Sequence, residues 1–303
     1  MTARERVLTA LRHEEADRVP YNLRPSPEAV ARLRGEAGPV EFADHFEHDV
    51  RYVGLALPEA SGEPGDRTPL PTPEAIAAVA EAAARFHERG LAVCGAYFCG
   101  VFEQAKHWIG DAETLLAPHD DPRGFAALLD EITEWKSGLY GAYAASGVDL
   151  VWIGDDLGTQ RSLVMSPADY RRWYRPRHER IIAHVRARGD VRIAFHCCGH
   201  VTPLIPDLIE IGIDVLEAVQ AEAMDLAFLK REYGRDLAFW GGVGAQSVLA
   251  RTTPEQVITG VRETLAIMAP GGGYLAAPCH TLTDEVSWEA IVAFHEAVRE
   301  HRY

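Results

Sequence analysis

The sequence predicts an α/β protein whose parallel strands close into a (β/α)8 TIM barrel. Three observations carry this prediction: strand-like and helix-like segments alternate, eight strand-like segments can be counted, and 303 residues is an ordinary length for one such barrel. An open doubly wound sheet is the alternative, but no Gly-x-Gly-x-x-Gly turn follows the first strand. Neither a linker nor an internal repeat is evident, so we expect residues 1–303 to form a single domain.

The eight predicted strands are short apolar or β-branched runs. In chain order they are Arg18–Leu23, Val50–Leu57, Leu91–Phe98, Asp149–Gly154, Val191–His196, Ile213–Val219, Leu237–Gly242 and Gly273–Ala277. Between most of them lie helical patterns, at Pro73–Arg89, Pro122–Gly147, Pro167–Arg188, Pro203–Ile211, Ala223–Tyr233 and Pro254–Ala269, with a last helix near Ser287–His301. Four of these helices are predicted to begin at a hydroxyl residue followed by proline, namely Thr72-Pro73, Ser166-Pro167, Thr202-Pro203 and Thr253-Pro254.

Composition limits the classes of function. The formal net charge of −15 disfavours non-specific binding to nucleic acid or to an anionic membrane surface. No apolar run approaches the roughly 18 residues that a membrane span requires. Cysteine is present five times, an odd number, and the first residues lack the apolar core of a secretory leader. We therefore expect a reduced, cytoplasmic protein without disulfides.

One histidine and two cysteines form the most informative constellation. His196 and Cys198 lie at the end of the fifth predicted strand, and Cys279 follows the eighth. Side chains alternate along a strand, so His196 and Cys198 can share one side, and in a barrel the active-site residues cluster at the carboxyl ends of the strands. Imidazole and two thiolates suit Zn²⁺ and leave its fourth position open for chemistry. The alternative is that these are ordinary buried cysteines and a core histidine.

Other polar residues near predicted strand ends are candidates for the same site. Glu103, Asp155 and Asp156 are the candidate catalytic carboxylates, acting as proton acceptors or as a fourth zinc ligand. The candidate substrate-binding residues are Tyr97, Glu217, Gln220 and His280. A helix cap for the aspartates and a helix-face contact for Glu103 are the competing structural interpretations.

Several segments resemble one known family along nearly the whole chain. They are Arg4–Leu11 with Asp17–Pro20, Asp155–Gln160 followed by Met165–Pro167, His196-x-Cys198-Gly199, Gly241–Val243 with Gln246, and Gly272–Pro278. Together they resemble uroporphyrinogen-decarboxylase-like proteins, and the resemblance implies a (β/α)8 barrel.

Two branches of that superfamily differ in chemistry. True decarboxylases bind a tetrapyrrole through an Arg-Gln-Ala-Gly-Arg-Tyr motif and use no metal, but Val19–Pro25 here lacks that motif. Corrinoid-linked methyltransferases carry zinc on an H-x-C pair and a later cysteine, which His196, Cys198 and Cys279 match, although Pro278-Cys279-His280 gives the third ligand different neighbours. The resemblance thus implies zinc-dependent methyl transfer between a small substrate or thiol and a corrinoid. No cobalamin-binding Asp-x-His-x-x-Gly signature is present, so a cobalamin would be carried by a partner protein.

Three other functions stay open on the sequence alone. The first is a metal-free decarboxylase or lyase, with Asp155 or Asp156 as its acting carboxylate. The second is a non-enzymatic corrinoid- or metal-binding accessory protein. The third is a zinc hydrolase or C–S lyase, in which water rather than a thiol would fill the open zinc position.

Overall fold

The computed structural model describes residues 1–57, 69–97, 99–250 and 252–303, and its centre is a parallel sheet of seven strands. The strands are β1 (Val50–Val53), β2 (Ala92–Tyr97), β3 (Leu150–Gly154), β4 (Arg192–His196), β5 (Val215–Ala218), β6 (Ala238–Val243) and β7 (Tyr274–Pro278). Each strand pairs with the next along the chain, as when Gly154 of β3 pairs with His196 of β4. Sequential order and parallel pairing give a TIM-barrel-like sheet, with every strand pointing toward one end.

The first predicted strand, Arg18–Leu23, is not a regular strand. The residues around Tyr21 do lie between β7 and β1: Tyr21 bridges to Ala276, the Ala276 N–H donates to the Pro20 carbonyl at 2.8 Å, and the Asp49 N–H donates to the Tyr21 carbonyl at 3.0 Å. Pro20 has no N–H for a ladder, so the segment forms an isolated bridge. The expectation of eight regular strands is wrong at this element, and the described sheet is not closed by a full eighth strand.

Helices connect successive strands. The α-helices are α1 (Ala3–Ala10), α2 (Pro27–Ala37), α3 (Phe42–His45), α4 (Pro73–Glu88), α5 (Val101–Ile109), α6 (Asp111–Asp120), α7 (Pro122–Ala145), α8 (Pro167–Asp169), α9 (Arg175–Arg186), α10 (Ile205–Glu210), α11 (Leu226–Tyr233), α12 (Pro254–Met268) and α13 (Trp288–Glu300). None of the helices in the described ranges is long and apolar enough to cross a membrane.

The helix-start predictions hold at three of four positions. The Thr72, Ser166 and Thr253 side chains each accept an N–H from the first turn of α4, α8 and α12. Thr202 instead begins a 3-10 turn and makes no capping bond. The helix predicted over Pro167–Arg188 is interrupted by one wider, π-helical stretch at Tyr170–Tyr174.

Side chains at alternate strand positions point inward and fill the space enclosed by the sheet. A buried cluster combines small and large side chains from the strands, among them Ala92 and Cys94 of β2, Trp152 of β3 and Trp240 of β6. Three residues of the first helix and its cap, Val7, Ala10 and Leu11, belong to the same cluster. The Gly273 N–H, just before β7, donates to the Ala10 carbonyl. Helix α1 therefore fills the amino end of the sheet, and the site lies at the opposite, carboxyl end.

Candidate metal centre

Three ligand-type side chains converge at the carboxyl ends of β3 and β4. Asp156, His196 and Cys198 each place one ligand atom within 4.8 Å of the other two. The Cys198 Sγ lies 3.4 Å from His196 Nε2, and Asp156 Oδ1 lies 3.6 Å from the same nitrogen. Two ligands of a tetrahedral zinc ion with bonds of ~2.0–2.3 Å are ~3.5 Å apart, so these residues could hold such an ion with little movement.

Hydrogen bonds to the backbone fix the turn that carries Cys198. Its N–H donates to Asp156 Oδ1 at 2.8 Å, and the N–H of Gly199 donates to Gln220 Oε1 at 2.9 Å. Gly199 has a φ of +78°, and a Cβ there would lie 2.5 Å from the Thr159 carbonyl oxygen. Only glycine fits this backbone, which explains the Cys-Gly pair. Gln220, predicted to bind substrate, therefore positions the turn that carries Cys198.

Glu217 of β5 holds the other side of the histidine ring. Its Oε2 accepts the His196 Nδ1–H and, at 2.8 Å, the Trp152 Nε1–H, while Oε1 lies 3.6 Å from an Arg24 Nη2. Burial by itself lowers the pKa of His196, but the Glu217 carboxylate and the Cys198 side chain together outweigh burial and raise that pKa. Burial raises the pKa of Glu217, and the charges of His196 and Arg24 overcome this and lower it. Glu217 was predicted to bind substrate; here it orients the imidazole and leaves Nε2 facing Cys198.

Cys279, the third predicted ligand, lies outside this cluster of ligand atoms. The Cys279 Sγ accepts the Ala245 N–H at 3.3 Å and is 3.4 Å from Glu222 Oε2, to which the thiol donates. Burial and the nearby Glu222 carboxylate raise the pKa of Cys279 to about 12. Glu222 also accepts the N–H and the hydroxyl of Ser247. The structure thus pairs Cys279 with a carboxylate that the sequence analysis did not single out.

Asp155 has surroundings quite unlike those of Asp156. Its fully buried carboxylate accepts the N–H groups of Val101, Phe102 and Glu103 at 2.8–3.0 Å, at the first turn of α5. It also accepts from His178 Nε2 at 2.8 Å. The carboxylate is therefore occupied in anchoring a helix, and the catalytic role predicted for Asp155 stays a prediction.

Two further candidates are not part of the cluster. Tyr97 follows Cys94 and Ala96 of β2, which face inward, so its ring faces outward, where Lys136 Nζ lies 4.3 Å from the ring centroid. Glu103 pairs with Lys106 at 2.9 Å on α5, and burial raises its pKa. The described lining of the pocket beside the ligand cluster includes neither residue. The alternation of side chains in β2 was the signal that could have placed Tyr97 correctly.

An open cavity of about 380 Å³ leads to the cluster. Its lining residues are Arg24, Pro25, Trp152, Asp156, His196, Cys198, His280 and Thr281. His280 is exposed at this wall, and its predicted contact with substrate stays a prediction. Arg24 was not among the predicted site residues. A pocket of this size accommodates a small molecule next to His196 and Cys198.

Fold and site together define a class: a TIM-barrel-like α/β protein in which three side chains able to bind a metal ion meet at the mouth of the sheet. The sequence model of the family described as Uroporphyrinogen decarboxylase (URO-D) matches residues 66–301. The chain belongs to this family. A search of curated proteins finds no match.

Solved structures resemble the chain over almost its full length. A methyltransferase from Methanosarcina mazei has a TM-score of 0.74 and 18% identity, with 99% of each chain covered. A B12-independent methionine synthase from Shewanella sp. W3-18-1, solved with selenomethionine, has a TM-score of 0.52 and 13% identity, covering 96% of this chain and 98% of that one. A putative vitamin-B12 independent methionine synthase from Listeria monocytogenes has a TM-score of 0.51 and 16% identity, covering 94% and 95%. At such identities the likeness establishes the fold.

Proposed function

We propose that this protein is a zinc-dependent methyltransferase that moves a methyl group between a small substrate or thiol and a corrinoid carried by a partner protein. The observation that carries the proposal is the meeting of Asp156, His196 and Cys198 within 4.8 Å. Two further findings support it: the cavity that opens onto these residues, and the methyltransferase named among the structures that share the fold.

His196 and Cys198 would hold the ion together with Asp156. Cys279 would join them only after leaving Glu222. Zinc bound there would lower the pKa of a thiol substrate and favour the thiolate, which is a good nucleophile toward an activated methyl group. Glu217 fixes the ring of His196 through Nδ1, and Trp152 and Arg24 hold Glu217 in turn. The chain's own contribution is thus a pre-oriented ligand set beside a pocket for the small substrate.

A metal-free decarboxylase or lyase is the second candidate, because the family to which the chain belongs carries the description of a decarboxylase. In that case Asp156, which lines the cavity, would be the acting carboxylate. This candidate predicts full turnover after chelation. A non-enzymatic binding protein would instead bind a corrinoid or metal without turnover.

Metal analysis of purified protein tests the proposal. We expect about one zinc per chain in the wild type and a loss of most of it in Cys198→Ala. Cys197→Ser is the matched control, since the Cys197 thiol faces away and accepts the Leu157 N–H. Equal zinc in wild type and Cys198→Ala, or none in either, contradicts the metal site. Demethylation of free methylcobalamin by added thiol, followed by its absorbance and abolished by chelation, then separates methyl transfer from the other functions.

A further inference from the structure

A second cavity lies at the amino end of the sheet, opposite the candidate metal centre. Its volume is about 520 Å³, and its wall includes Asp49 and Leu91, the residues that immediately precede β1 and β2. A pocket of this size can hold a small molecule. The lining contains three carboxylates and five arginines, namely Arg6, Arg18, Arg51, Arg89 and Arg299. The proposed methyl transfer uses none of these residues.

The lining of this amino-end cavity carries more positive than negative charge. Five arginines against three carboxylates leave an excess of two positive charges among the described lining residues. His48, which also lines the cavity, adds no charge at neutral pH, because burial and the Arg51 charge lower its pKa to about 3. Asp17 pairs with Arg6 from outside the lining and offsets part of the excess. The cavity is thus a local cationic site in a chain whose formal net charge is −15.

The positive charge remains because carboxylates are shared between arginines. Asp44 Oδ1 accepts from Arg51 Nη2 at 2.8 Å and from Arg89 Nη2 at 2.7 Å. The buried carboxylate of Asp49 is shared in the same way by two other arginines of the lining. One carboxylate cannot neutralise two guanidinium groups, so each shared pair leaves positive charge at the cavity wall.

Arg89 and Arg299 have most of their N–H groups available. Within the part of the chain that the structure describes, the Arg89 guanidinium donates to Asp44 alone. The Arg299 guanidinium pairs with Glu47 alone, from Nη1 to Oε2 at 2.7 Å. The side chains of Arg89 and Arg299 are 50% and 46% exposed, so a dissolved molecule can reach them. Because a guanidinium has five donors, both arginines can bind a further acceptor without giving up their ion pairs.

We propose that the amino-end cavity binds the phosphate group of a small molecule, with Arg89 and Arg299 as its main donors. A planar guanidinium presents two parallel N–H groups that match two phosphate oxygens. The net charge of the whole chain repels a large polyanion such as a nucleic acid, whereas the excess positive charge of the cavity acts on an anion small enough to enter it. The ligand class is therefore a phosphate monoester or a short oligophosphate. This site goes beyond the proposed function, because it lies at the opposite end of the sheet from His196.

A purely structural role for these arginines is the competing explanation. Their ion pairs would then serve only to hold α3 and α13 against the amino end of the sheet, through Asp44 on α3 and Arg299 on α13. In that case replacing the arginines lowers stability, but the wild-type protein has no affinity for phosphate that depends on them. A binding site predicts an affinity that falls when the guanidinium groups are removed.

Calorimetric titration with inorganic pyrophosphate and with ribose 5-phosphate tests the inference. The protein is first freed of metal by chelation and dialysis, so that pyrophosphate has no zinc to bind. We expect the wild type to bind at least one of the two probes, and the affinity to fall at least about tenfold in the double variant Arg89→Gln/Arg299→Gln, which loses the charge-assisted hydrogen bonds. Tighter binding of pyrophosphate would identify an oligophosphate as the ligand, and tighter binding of ribose 5-phosphate would identify a monoester.

Arg180→Gln/Arg231→Gln is the matched control. Arg180 shares Asp130 with Arg177, as Arg89 shares Asp44, and Arg231 has a single carboxylate partner, as Arg299 does. The control removes the same two charges from exposed arginines outside the cavity, so it should leave the affinity unchanged.

Thermal unfolding checks that each variant is folded, and Arg89→Lys/Arg299→Lys, which keeps the charge, should retain part of the affinity. Three results would each overturn the inference: a wild type that binds neither probe, an unchanged affinity in Arg89→Gln/Arg299→Gln, or an equal loss of affinity in the control.

Discussion

Asp155 and Asp156 are neighbours in the chain, yet their carboxylates meet different partners. Asp155 accepts three N–H groups of α5 and the ring of His178, and Asp156 accepts the Cys198 N–H and lies 3.6 Å from His196. The residues at the end of β3 therefore divide two tasks, anchoring a helix and completing a ligand cluster.

Alanine substitutions should separate these tasks. Asp155→Ala leaves three helix N–H groups and His178 without their acceptor, so we expect the free energy of unfolding to fall by about 3 kcal/mol, with zinc content unchanged. Asp156→Ala should weaken zinc binding with a much smaller loss of stability. Denaturant unfolding and metal analysis of both variants are the measurements. If both variants lose zinc and stability alike, the division of roles is wrong; Asp155→Asn, which keeps an acceptor oxygen, guards against simple misfolding.

Glu217→Gln should weaken zinc binding without removing a ligand. Glu217 accepts from His196 Nδ1, and an amide there no longer fixes the ring with a full negative charge. Loss of such a partner typically costs ~10–100-fold in metal affinity. Competition with a chromophoric chelator measures the change. Glu210→Gln, an isosteric change on α10, is the control, and an unaltered affinity in Glu217→Gln would argue against the positioning role.

His48 should make the protein less stable as the pH falls. Burial and the nearby Arg51 charge lower the pKa of His48 to about 3, and its Nε2 has no hydrogen-bond partner among the described residues. An unfolded histidine titrates near ~6.5, so the unfolded state takes up a proton that the folded state refuses. The stabilisation is complete well above pH ~6.5 and is lost as the pH falls toward 3, by about 2 kcal/mol between pH 6.5 and 4.5. Urea unfolding across this range should show a shallower dependence in His48→Leu; parallel curves would refute the assignment.

Cys279 should react slowly with alkylating agents in zinc-free protein near pH 8. The raised pKa of Cys279 keeps it as the thiol, and the side chain is 3% exposed. Glu222→Gln removes the carboxylate that disfavours the thiolate, so labelling of Cys279 should become several-fold faster. Peptide mass spectrometry after timed iodoacetamide treatment gives the rate at each cysteine, with fully buried Cys94 as the internal control. Unchanged labelling would mean that burial alone protects Cys279.

Local patterns predicted much of the fold and two of the three residues in the ligand cluster. Seven of the predicted strands exist within a few residues, because apolar runs bounded by polar residues follow from burial alone. His196 and Cys198 were found because they lie two residues apart at one strand end, which is a local relationship. The helices α1 to α3 and α6 were not predicted; α1 has little contrast between its faces and α3 is four residues long.

Relationships between distant segments could not be predicted in the same way. Asp156 and Asp155 have the same sequence signal, and only the position of α5 decides which one reaches Cys198. Arg24 reaches the cavity because the segment at Tyr21 lies between β7 and β1, a placement that its proline-interrupted sequence does not reveal. The pairing of Cys279 with Glu222 depends on loops after β5 and β7 whose paths are set by tertiary packing.

Helix α1 has a consequence for the order of events. Val7, Ala10 and Leu11 fill the amino end of the sheet. A molecule that reaches His196 therefore enters through the cavity at the carboxyl end, which Arg24 and His280 line. A methyl donor and a methyl acceptor that share one entrance would bind in sequence rather than from opposite sides. Under the proposed function, the turnover rate would depend on how fast the product leaves the cavity and the next reactant enters it.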